Sequence, residues 1–153
     1  PIGMLVVLDS ILNRITQNRA KGRNTFIFID EIYLLFQHEY SANFLFTLWK
    51  RVRKYGAYCT GITQNVDDLL QSHTARTMLA NSEFIIMLNQ ASTDRIELAK
   101  LLNISDLQLS YTTNVDAGHG LIKVGSSLVP FANKFPKNTK LYKLMTTKPG
   151  EGV

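Results

Sequence analysis

One cysteine, Cys59, occurs in 153 residues. A disulfide framework is therefore excluded, and a reducing compartment is expected. Within an apolar run, Cys59 reads as a small core residue. No apolar stretch approaches the roughly 20 residues that cross a bilayer. Pro1-Ile2-Gly3 does not read as a natural start, and with no signal peptide after it the chain is expected to be part of something longer. The glycines at 22, 56, 61, 118, 120 and 125 lack a Lys-Ser/Thr where a G-x-x-x-x-G-K-[ST] phosphate loop needs one. His38, His73 and His119 have neither cysteine partners nor metal-ligand spacing, which argues against zinc. All three are expected at the surface or in turns. No nucleophile elbow supports Ser-His-Asp chemistry, and repeats and low-complexity tracts are absent.

What is present is ordinary globular composition, 45% hydrophobic and 19% charged, in a chain of one domain's length. The net charge of +5 suits nucleic acid, acidic lipid or phosphate partners without choosing among them. A helix is expected over Met4–Arg19, with Leu8, Ile11 and Ile15 on one face.

The apolar run Thr25–Ile29 ends in Asp30-Glu31. Such a run reads as a strand buried on both faces, and its C-terminal end is where open α/β sheets bind ligands. Asp30 could hold Mg²⁺ through its water shell, and Glu31 could orient or deprotonate a water attacking a phosphate. A strand that stops at a polar turn fits equally well.

Ser41–Tyr55 is amphipathic, with Ser41 the expected N-cap and Gly56 the C-cap. Phe44, Leu45, Leu48, Trp49, Val52 and Tyr55 fall within an arc of roughly 140°. Arg51 and Arg53 flank that stripe. A solvated basic face at a helix C-terminus explains them too, since the macrodipole favours cations there. A second buried strand, Ala57–Thr60, ends in Gly61-Ile62-Thr63-Gln64-Asn65. The Gln64 amide donates and accepts, so it could sense a terminal phosphate. Alternatively this is a plain strand-to-helix turn capped by Asn65, with Asp67 and Asp68 in the first turn.

Further along, one helix is expected over Leu69–Ala80, a third buried strand over Glu83–Leu88, and a helix capped by Ser92. Ser105 opens a short helix. Gly120–Val124 and Ser127–Phe131 form a hairpin around Gly125-Ser126, and Pro130 puts the second strand at an edge. From Lys134 the chain is basic, and it is expected to fray after Met145.

The order Phe26–Glu31, Trp49–Gly56, Gly61–Asn65 resembles the second half of a RecA-like motor ATPase. With Asn81–Gln90 and Gly118–Gly125, it resembles the C-terminal ATPase domain of the type IV secretion and conjugative-transfer ATPases. That is the family of the fourth VirB protein and its TraC/TraE relatives, and the tail looks most like Gram-positive mobile-element members. The resemblance implies an α/β, RecA-like, mostly parallel sheet flanked by helices, without the P-loop strand and with a C-terminal β-hairpin. Residues 1–147 would be one domain portion and 148–153 a flexible tail. Asp30 and Glu31 match the Walker B pair, with Asp30 on Mg²⁺ and Glu31 catalytic. Gln64 matches the glutamine after the next strand. Arg51 and Arg53 match a basic motif near the nucleotide, in the same subunit or across a ring interface. The cofactors implied are ATP and Mg²⁺. The implied partners are a hexameric ring of copies and other secretion components, at the cytoplasmic face of the membrane. Without the P-loop the chain alone should bind ATP weakly and not turn it over. Loss of a central strand should also leave unpaired edges that invite self-association. Two alternatives stand beside this: a DNA-pumping ATPase of the coupling-protein, FtsK or HerA type, and a non-catalytic basic module binding nucleic acid or a partner.

Overall fold

A computed structural model of the chain describes residues 2–89 and 92–151. The chain divides into two compact units, Pro1–Ser82 and Glu83–Val153. In the first, α1 (Ile2–Ala20) leads into β1 (Thr25–Ile29), a 3₁₀ turn (Ile32–Phe36), α2 (Glu39–Arg51) and a second 3₁₀ turn (Val52–Tyr55). Then follow β2 (Ala57–Gly61), α3 (Val66–Gln71) and α4 (His73–Ala80).

β1 and β2 pair in parallel, with Thr25 opposite Ala57 and Ile29 opposite Gly61. Parallel neighbours need a crossover that returns the chain to the starting end, and α2 supplies it. Its apolar stripe packs two ways. Leu45 joins Ile32, Leu69, Ala75 and Met78, with Trp49 against them. Leu48 joins Ile15, Val52 and Ala57, with Ile27 and Cys59 alongside. Gly56 ends the second turn at φ 63, a left-handed conformation that side chains resist, and its N–H bonds Arg53 O.

Three expectations change here. β1 and β2 are not buried on both faces: the helices cover the face with Ile27, Ala57 and Cys59. On the other face Phe26, Phe28 and Tyr58 are 64%, 70% and 55% exposed. Phe26 and Tyr58 stack there with ring centroids 5.0 Å apart. β1 and β2 each pair on one side only among the described residues. Ser41 is not the N-cap, because α2 begins at Glu39; its buried hydroxyl donates instead to the carbonyls of Leu35 and His38. The expected helix over Leu69–Ala80 is two, since α3 begins at Val66 and Ser72 interrupts it. The Ser72 hydroxyl caps α4 by accepting the Ala75 N–H, which is what serine does best at a helix start.

The second unit contains β3 (Phe84–Met87), α5 (Ser92–Leu102), α6 (Asp106–Leu109), β4 (His119–Val124), β5 (Ser127–Ala132) and α7 (Lys140–Met145). The α/β class and the C-terminal hairpin are as expected. Among the described residues, however, parallel pairing is confined to β1–β2. β3 pairs antiparallel with β4, and β4 with β5, in the order β3-β4-β5. Gly120 permits this, because a Cβ there would sit 2.2 Å from Met87 O on the neighbouring strand. One face of β3 is open, so Ile85 and Met87 are buried while Phe84 and Ile86 are exposed. Ser105 caps α6 in a full capping box with Gln108. Pro130 lies on β5, an edge strand of this sheet. His119 starts β4 and is half-buried. The proposed Ser92 cap lies outside the described side chains, and Gln90 outside the described residues.

Candidate functional site

The ends of β1 and β2 are joined beyond the strands themselves. Ile62 N–H donates to Ile29 O at 2.8 Å, and Ile32 N–H donates to Ile62 O at 3.0 Å. The segment Asp30-Glu31 is thereby held alongside Ile62-Thr63. Gly61 packs closely here: a Cβ there would meet Ile32 Cδ1 at 2.7 Å, and the end of that side chain would have to shift.

Glu31 turns the corner at φ 49, ψ 45. This left-handed conformation costs a non-glycine residue about 1 kcal/mol. Its N–H is held by Asp30 Oδ1 at 3.0 Å. Its Oε2 is buried and has no hydrogen-bond partner among the described residues. A buried oxygen left unsatisfied costs about 1–3 kcal/mol. A strained backbone and an orphaned carboxylate oxygen at one residue are local conflicts of the kind that collect at functional sites.

Gln64 is exposed in the turn after β2, at the same end as Asp30 and Glu31. Two contacts fix that turn. Asn65 Oδ1 accepts the Asp68 N–H at 3.1 Å and caps α3, as expected. Thr63 Oγ1 accepts the Asn65 N–H at 3.1 Å. The threonine's part was missed, although Thr-x-Asn is a recognisable hydroxyl-turn pattern.

Arg51 and Arg53 are not brought to this end. Thr25 N–H donates to Gly56 O at 3.1 Å, and Gly56 N–H to Arg53 O at 3.2 Å, so Arg53 lies by the N-terminal end of the strand pair. The length of β1, about 13 Å at some 3.3 Å per residue, separates that end from Ile29. Arg51 borders a crevice between α1 and α2 formed with Leu12, Thr16, Phe44 and Tyr55. Arg19 lies over the Tyr55 ring at the same end, 5.0 Å from its centroid.

Among the described residues no three His, Cys, Asp or Glu side chains gather. Asp30, exposed and with a single bonded oxygen, fits a cation that takes most of its ligands from water and phosphate, as Mg²⁺ does. Such an ion would neutralise charge on the phosphates.

No curated protein matches the chain. A solved structure of VirB4 from Thermoanaerobacter pseudethanolicus matches with a TM-score of 0.75 and 26% identity, covering 85% of this chain and 36% of that one. The chain thus spans about a third of that protein's length. Residues 1–119 match the family model of the TraG P-loop domain, most of the chain including both strand ends. The chain belongs to the TraG P-loop domain family, within the type IV secretion and conjugative-transfer ATPases its motifs resemble.

Proposed function

We propose that this chain is the Walker B and sensor portion of a motor ATPase that powers conjugative DNA transfer or type IV secretion. Asp30 takes Mg²⁺ through water, Glu31 polarises the attacking water, and Gln64 reports the terminal phosphate. The observation that carries this reading is Glu31 itself: left-handed, with a buried oxygen that nothing among the described residues satisfies. Water or nucleotide would complete that oxygen's bonding, and a preset carboxylate needs little reorganisation when it acts.

Arg51 and Arg53 serve a neighbouring copy in a hexameric ring. They lie at the far end of the strand pair from Glu31, which suits delivery of a guanidinium to the next subunit's phosphates. The sequence holds no G-x-x-x-x-G-K-[ST] loop, so the chain alone binds ATP weakly and does not turn it over. The natural protein works at the cytoplasmic face of the membrane. Glu31→Gln in that protein abolishes plasmid transfer while leaving its cellular level unchanged. Transfer at the normal frequency would refute the role.

A further inference from the structure

The basic bias of the sequence is concentrated near its C-terminal end. Residues 134–151 contain Lys134, Lys137, Lys140, Lys143 and Lys148 against a single acid, Glu151, in a chain whose net charge is +5. Glu151 is already engaged, by Lys137 Nζ at 3.1 Å and by the Tyr142 hydroxyl. Lys134, Lys140, Lys143 and Lys148 are exposed.

Within this segment α7 has a fixed orientation. Thr139 caps it by accepting the Tyr142 N–H at 3.2 Å. Tyr142 is half-buried and stacks on Phe135 at 6.4 Å between centroids. On a helical wheel the side opposite Tyr142 carries Lys140 and Leu144, with Leu141 and Met145 completing one apolar arc. Those three apolar side chains are 56%, 63% and 73% exposed for Leu141, Leu144 and Met145. Helices normally hide such a stripe. Here it is outward-facing, and lysines line its border.

We propose that α7 with its flanking lysines is an interfacial anchor for an anionic lipid surface. The charge supplies long-range attraction to acidic headgroups, while Leu141, Leu144 and Met145 enter the acyl boundary. Lysine stems extend along the apolar layer and keep their ammonium groups among the phosphates. Nucleic acid would share the electrostatic half only. A single-strand binding surface uses rings for bases to stack on, and the outward face of α7 has none. This inference does not depend on the chemistry assigned to Asp30 and Glu31.

The test is flotation of the chain with two kinds of vesicle, pure phosphatidylcholine and equimolar phosphatidylcholine with phosphatidylglycerol. Binding to the anionic vesicles alone, weakened by salt, is expected. The pairs Lys140→Gln/Lys143→Gln and Leu141→Ser/Leu144→Ser each lower the partition coefficient by about tenfold. All four side chains are exposed, so circular dichroism should be unchanged. Should either pair misfold, Met145→Ser and the salt series read the same two contributions. Failure to bind anionic vesicles, equal binding to both kinds, or indifference to the leucine pair would overturn the proposal. Loss from vesicles in favour of added duplex DNA would overturn it too, and would assign the lysines to nucleic acid.

Discussion

Glu31 combines two unfavourable features, and both predict that the native residue is not the most stable one. Replacing it with glycine relieves the left-handed backbone and removes the orphaned oxygen. Glu31→Gly should therefore raise the unfolding free energy by about 1 kcal/mol or more, read from a urea midpoint. A lower midpoint would mean the carboxylate is satisfied in solution and the corner unstrained. Cys59 gives a second residue-level expectation. Burial against the α1–α2 face pushes its thiol up to about 11. A raised thiol pKa keeps the neutral form through physiological pH, and the thiolate is the reactive species. Alkylation at neutral pH should be about 100-fold slower than for a free thiol, rising about tenfold per pH unit until it levels off near that value. Rapid labelling would show the strand face opening. At this scale the sequence revealed the identity of Asp30-Glu31 but not the φ of Glu31, which depends on the Ile29–Ile62–Ile32 hydrogen bonds formed with another strand.

Elements were legible where one physical signal dominated. The α2 stripe, the Gly56 and Asn65 caps, the helix start at Ser105 and the Gly125-Ser126 hairpin all rest on local chemistry, and all appear in the structure. The failures share a cause as well. Phe26, Phe28, Phe84 and Ile86 read as buried because apolar runs carry no record of which face has a partner. Ser41, the expected cap, donates to carbonyls instead, and Ser72, inside what reads as one helix, caps α4, since a serine hydroxyl caps or back-bonds according to where the turn begins. α7 was not anticipated. It is six residues long and held by Thr139, Phe135 and Glu151 rather than by propensity. The placement of α2 also separates Arg51 and Arg53 from Glu31, which predicts complementation between subunits. Oligomers mixed from Glu31→Gln subunits and subunits carrying Arg51→Ala and Arg53→Ala should regain part of the ATP turnover that neither has alone. Mixing that restores nothing would place the arginines in the same subunit's site or outside it.

For the whole molecule, family membership rests on residues 1–119 and on a fold shared with about a third of a VirB4 chain. The chain contributes one carboxylate-bearing sheet end, one basic pole and one lysine-rich segment, but no Gly-x-x-x-x-Gly-Lys motif. In the proposed function, this chain's residues act within a longer ATPase, on a nucleotide that other residues cradle. The most direct measurement is steady-state ATP turnover by that protein with Glu31→Gln, alongside nucleotide binding by the same variant. The expected result is a fall in kcat of at least about 100-fold with ATP affinity unchanged, the mark of a group that acts on the attacking water. Turnover within a few-fold of the natural protein would contradict the assignment of Glu31.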